Sequence, residues 1–265
     1  MKYLINFVLT CVLTSFAVAQ EDWPRWRGAD LSDHSPDKGL LKKWPKDGPK
    51  QVWLYKDAGI GYSGPAISNG KFITMGERDG AIHVIAIDTK NGKEIWNTKF
   101  AKGFKNNWGN GPRGTPTIDG DKVYALAPKG ELICLNIKNG SKLWNADLVK
   151  NFGGKAPYWG FSESVLVHGN NVVVTPGGAK GAIVALNKIT GKQIWQSKEI
   201  KDGAQYSSII PIKHNGDDQY VQLFMKSLVG VSASDGSLLW KTDWNGRTAV
   251  IPTPIYKNGN IYISS

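Results

Sequence analysis

From residue 65 onward the chain alternates short apolar runs with turn residues and never sustains a helical period. Pro65-Ala66-Ile67-Ser68 breaks at Asn69-Gly70, and Lys71-Phe72-Ile73-Thr74-Met75 follows. Asn-Gly suits the positive φ angles of a two-residue hairpin, so these runs predict an antiparallel pair. After Asp79-Gly80 comes Ile82-His83-Val84-Ile85-Ala86-Ile87, nearly continuous in apolar residues. Such a run marks a strand buried on both faces. Gly92 permits the next hairpin, and a fourth strand carries Trp96.

The same order then recurs. Residues 86–96, 134–144, 185–195 and, more loosely, 230–240 align end to end, and their tryptophans (Trp96, Trp144, Trp195 and Trp240) stand 48, 51 and 45 residues apart. A second landmark keeps the same period: the turn glycines Gly70, Gly120, Gly169, Gly216 and Gly259 are 50, 49, 47 and 43 apart. One stretch, 217–229, lacks Gly and Pro and would suit a short helix; the period requires a strand at Tyr220–Met225 instead.

Four-stranded antiparallel sheets buried on both faces need a similar sheet on each side, and radial stacking meets that need. The predicted fold is all-β, a β-propeller of four-stranded antiparallel blades. Helical solenoids are excluded by the density of Gly and Pro, and sandwich arrays by the short period. Four full repeats precede the first two strands of a fifth, Pro252–Ile263, so the ring is expected to be incomplete and the chain an N-terminal fragment. Trp53 reads as an outer strand without hairpins of its own. The four recurrent tryptophans are expected to cover the glycine turns of neighbouring blades.

Upstream of the repeats, residues 1–19 carry one Lys, an apolar run and Ala17-Val18-Ala19, the pattern of a cleaved signal peptide. Residues 20–50 then form an N-terminal extension and 51–265 the propeller. The protein is expected to be exported, periplasmic or extracellular, with no membrane span. Cys11 leaves with the leader, so Cys134 stands alone and no internal disulfide is expected. The formal charge of +11 rests on 28 lysines and only five arginines among 33 cations, spread through turn-like stretches. That distribution points to a solvated surface rather than nucleic-acid binding.

The pattern A-x-D-x-x-T-G-x-x-x-W, approached by Ala185-Leu186-Asn187-Lys188-Ile189-Thr190-Gly191 through Trp195 and its siblings, resembles the tryptophan-docking repeat of PQQ-type propellers. That family includes quinoprotein dehydrogenases and the outer-membrane assembly scaffold BamB. The resemblance covers residues 51–265, with Asn91 and Asn139 in place of Thr, Cys134 in place of Ala and Ser232 in place of Asp. Trp23-Pro24-Arg25-Trp26-Arg27-Gly28 is similar to the opening of exported propeller-repeat proteins. Two functions follow from the resemblance. One is a binding or scaffolding module of the cell envelope with an envelope protein as partner. The other is a pyrroloquinoline-quinone-dependent dehydrogenase oxidising alcohols or sugars at the channel mouth, with calcium beside the quinone. The vicinal cysteine pair of the quinoprotein alcohol dehydrogenases is absent.

Loops joining one blade's outer strand to the next blade's inner strand converge over a propeller's channel. Here they contain Tyr62, Trp108, Arg113, Trp159, Glu163, Tyr206 and Arg247. Aromatic plates and guanidinium forks suit a small planar anionic ligand; the same residues would equally serve rim packing or protein contact. No catalytic residue is assigned. His34, His83, His168 and His214 have no paired spacing, so no metal site is expected.

Overall fold

Asn69 and Gly70 both take positive φ, 51° and 71°, and close the first hairpin as their chemistry allows. The computed structural model describes residues 22–264, so the segment read as a signal peptide lies outside the described residues. The first blade joins β1 (Ala66–Ser68), β2 (Lys71–Arg78), β3 (Ala81–Asp88) and β4 (Glu94–Lys102) in sequence order. The second joins β5 (Thr117–Asp119), β6 (Lys122–Leu126), β7 (Glu131–Asn136) and β8 (Lys142–Asp147), followed by a single helical turn, α1 (Leu148–Phe152), capped by Asp147. Blade three contains β9 (Leu166–His168), β10 (Asn171–Val174), β11 (Val184–Asn187) and β12 (Gln193–Gln196). Blade four contains β13 (Ile210–His214), β14 (Asp217–Leu223), β15 (Ser227–Ser232) and β16 (Leu238–Asp243), and β17 (Ile255–Lys257) pairs with β18 (Asn260–Tyr262) beyond it. The stretch compatible with a helix is therefore a strand, as the period requires.

The core lies between blades rather than inside any one of them. Ile73, Val84, Trp96, Val123, Ile133 and Leu135 fill the first seam. Tyr124, Leu132, Trp144, Val172, Val174 and Leu186 fill the second. The third holds Val173, Ala185, Trp195, Tyr220 and Val229. This is why the third strand of each blade is apolar on both faces.

Trp96 donates its indole N–H to Ile137 O at 3.0 Å and lies flat on Gly140, where a Cβ would come within 2.5 Å of the ring. Trp144 repeats this with Lys188 O and Gly191, and Trp195 with Ala233 O and Gly236. Trp53 adopts the same relation to blade one through Thr89 O, at 2.8 Å, and Gly92. Trp240 breaks the pattern that the sequence led us to expect of it. Its N–H is donated to Gln219 Oε1 of its own blade at 2.8 Å, and its ring lies on Gly230. Among the described residues no third-to-fourth-strand turn stands beside Trp240, and the rest of the cause is local. Each of these tryptophans pairs across a strand irregularity with a small residue: Ala86, Cys134 and Ala185 in the first three blades, Gly230 in the fourth. A Cβ at those positions blocks the ring from folding back onto its own sheet, and glycine has none.

Residues 22–33 form a strap across the inner strands. Trp23 exchanges two backbone bonds of 2.8 Å with Ile67, and Pro24 O accepts from Ile118 N–H at 2.7 Å. Arg25 Nη1 donates to Val167 O at 2.9 Å, and Arg27 Nη1 to Pro254 O at 3.2 Å. Blades one, two, three and five are thus touched in turn by one short segment. Arg27 is buried and also pairs with Asp33 at 2.6 Å. Arg27→Ala leaves Pro254 O without that donor and is expected to cost about 1–3 kcal/mol in urea unfolding of the full chain.

Candidate functional site

The strap brings Trp26 to the loops ahead of the inner strands. Trp26 lines a cavity of about 330 Å³ with Tyr62, Trp108, Arg113, Tyr206 and Ile251, together with hydroxyl side chains from successive blades. Four of the residues expected from the sequence, Tyr62, Trp108, Arg113 and Tyr206, therefore line one space.

The loop ahead of blade two owes its shape to three contacts. Gly109 approaches Tyr62 so closely that a Cβ would meet the ring, and Arg113 donates to Gly111 O at 2.8 Å and to Gly109 O at 2.7 Å. The guanidinium sits between the Tyr62 and Phe104 rings, 5.7 and 5.1 Å from their centroids. Arg113 is thus a fixed positive charge in the wall with part of its donor set already engaged. Trp108 is 79% exposed at the rim.

The other three expected residues are not among the lining. Trp159 stacks behind Tyr206, with ring centroids 5.4 Å apart, and its buried indole N–H has no partner among the described residues. Arg247 is exposed on the loop after blade four. Glu163 lies between Ser162 and Ser164, which both line the cavity, and its side chain takes the opposite direction. Its carboxylate accepts from the backbone N–H and the hydroxyl of Thr175, to which Gln222 also donates at 2.8 Å. Complete burial without a cationic partner pushes the Glu163 carboxyl up to about 7.

Reading the loops missed Trp26 and the hydroxyl residues Thr115, Ser164, Ser208 and Thr253. The signal was present: a hydroxyl or glycine stands just before every inner strand, beginning with Gly64, and the bonded pairs are 49, 44 and 45 residues apart. Among the described residues no three His, Cys, Asp or Glu side chains cluster to hold a metal. Cys134 is fully buried, and burial pushes its thiol up to about 12, so it packs in the seam and is no nucleophile. No helix among the described residues is long and apolar enough to cross a membrane.

The family profile described as outer membrane protein assembly factor BamB matches residues 45–161 and 82–265. Among solved structures, quinohemoprotein alcohol dehydrogenase from Comamonas testosteroni superposes with a TM-score of 0.65 at 18% identity, over 92% of this chain and 45% of that one. BamB from Moraxella catarrhalis gives 0.54 at 19% identity, over 81% of this chain and 60% of that one. At these identities the likeness is one of fold, and the chain spans less than two thirds of either relative. No curated protein matches. With both matches together running from residue 45 to 265, the chain belongs to the PQQ-type repeat family described by the assembly factor BamB, and its blades are PQQ-like propeller blades.

Proposed function

We propose that the chain is the propeller module of an exported binding or scaffolding protein of the cell envelope, and that the channel mouth is the face on which an envelope protein docks. One observation carries this reading. Large apolar side chains crowd the rim and face water: Trp108, Tyr62, Tyr158 and Ile251 are each more than 60% exposed. Clustered exposed aromatics around a pocket are the composition of an interface centre rather than of an ordinary surface. A quinone with calcium suits these residues less well. Calcium takes six to eight oxygen ligands, carboxylates prominent among them, and Glu163, the carboxylate of these loops that stands close to an inner strand, is turned away and engaged by Thr175.

The test is photo-crosslinking in cells from probes placed at Trp108 or Tyr158, with exposed Lys90 on an outer hairpin as control. The mouth positions are expected to give one discrete adduct with an envelope protein, and Lys90 none. Trp108→Ala is expected to leave stability within about 0.5 kcal/mol and to weaken partner binding at least ten-fold. Equal labelling from all three positions, or dye reduction with alcohols after quinone and calcium are added to the full-length protein, would overturn the reading.

A further inference from the structure

Three bonds make a belt around the mouth cavity. Ser164 Oγ accepts the backbone N–H of Thr115 at 3.0 Å, Ser208 Oγ that of Ser164 at 2.9 Å, and Thr253 Oγ1 that of Ser208 at 3.5 Å. Each link joins the residue ahead of one inner strand to its counterpart in the next blade. A hydroxyl has one proton to give; the oxygens of Ser164, Ser208 and Thr253 each receive a backbone N–H and leave that proton for another acceptor, while Thr115 Oγ1 receives no backbone N–H among the described residues. Among the described residues none of Thr115, Ser164, Ser208 and Thr253 donates to a protein acceptor, and all four line the cavity. Ser162 differs, since its hydroxyl is donated to Gly160 O at 3.1 Å. Blade one contributes Gly64, where a Cβ would meet Thr115 Oγ1 at 2.7 Å, so that hydroxyl keeps its place only beside glycine.

The belt therefore presents donors and wants acceptors. We propose that it is a carboxylate-recognition site, and that the docking partner fills it with a loop carrying an acidic side chain beside a flat apolar one. This rests on the mouth being the docking face. No carboxylate is among the lining residues, and Arg113 adds a fixed positive charge to the wall. A charged acceptor is favoured over a neutral one because charge-assisted hydrogen bonds are about twice as strong. Trp26, Tyr62, Trp108, Tyr206 and Ile251 supply flat apolar walls, and about 330 Å³ holds one or two side chains, not a helix. The exposed aromatic rim argues for a polypeptide, since a free small acid would leave Trp108 and Tyr158 uncovered.

The experiment uses full-length protein and a dye-labelled, end-capped peptide, Gly-Gly-Trp-Glu-Gly-Gly, read by fluorescence anisotropy against the same peptide with Gln. The Glu peptide is expected to bind about ten-fold more tightly. Thr115→Val keeps the side-chain shape and breaks no belt bond, because Thr115 joins the belt through its backbone; it should remove most of that preference, and Thr115→Ser should restore it. Equal affinity for the two peptides, or a preference untouched by Thr115→Val, overturns the site. Indole-3-acetate binding as tightly as the Glu peptide overturns the polypeptide occupant. Lost crosslinks with the Glu preference intact would sink the docking reading alone.

Discussion

Trp144→Ala is expected to lower the unfolding free energy by about 3–5 kcal/mol. The side chain is buried in the seam between blades two and three, packed with Tyr124 at 5.9 Å between centroids and lying on Gly191. Its hydrogen bond is the smaller part of the loss. Lys188 O, which accepts the indole N–H, also accepts the Tyr124 hydroxyl at 3.1 Å and so keeps a donor when Trp144 is removed. The cost lies in the cavity, because Gly191 has no side chain to relax into it and its backbone, at φ 70°, is fixed by the turn. Trp240→Ala provides the contrast. That ring is half-buried and folded on its own blade, so about 1–2 kcal/mol is expected. Urea unfolding of both variants measures the difference. Equal costs would mean that the seam contributes nothing beyond ordinary burial.

The blades were legible because each strand carries its own signature and the signature recurs. Asn69-Gly70 specifies a turn, the run Ile82–Ile87 specifies double burial, and Trp96 marks the outer strand, all from residues within one repeat. What a repeat cannot state is whether a partner surface stands beside it. Trp240 has the spacing of its siblings, yet among the described residues no third-to-fourth-strand turn stands beside it, and Gly in place of Ala or Cys at 230 leaves room for the ring on its own sheet. The strap was illegible for a different reason. Arg25 and Arg27 bond to carbonyls 142 and 227 residues away, and no local pattern encodes contacts of that range.

The site was half legible. The period locates the loops over the channel but says nothing about which side chains face inward. Alternation along the extended entry to β9 puts Ser162 and Ser164 on the cavity and Glu163 behind them, so the residue with the most distinctive chemistry is the one the mouth does not use. The belt hydroxyls went unnoticed because Ser and Thr are common in turns. Their meaning appears only when Thr115, Ser164, Ser208 and Thr253 are superimposed blade on blade.

Glu163 also gives the second large effect, a stability that falls as pH rises. In the unfolded chain its carboxyl titrates near the ordinary 4.5; in the fold, burial raises it to about 7. Between those values the folded state holds a proton that the unfolded state has released, so each unit of pH favours unfolding by about 1.4 kcal/mol. The contribution is fully present below 4.5, is lost through the window to 7, and amounts to roughly 3 kcal/mol on the upper side. Glu163→Gln removes the titration. Below the folded value the protonated carboxyl and the amide offer Thr175 the same pair, an oxygen that accepts its N–H and a donor toward its hydroxyl oxygen, so the exchange is nearly neutral there. The variant should therefore match the parent near pH 4.5 and be more stable by roughly 3 kcal/mol at pH 8, the two curves separating as pH rises. Urea unfolding across that range decides it. Parallel curves would mean that Glu163 titrates alike in both states and that water reaches it in the fold.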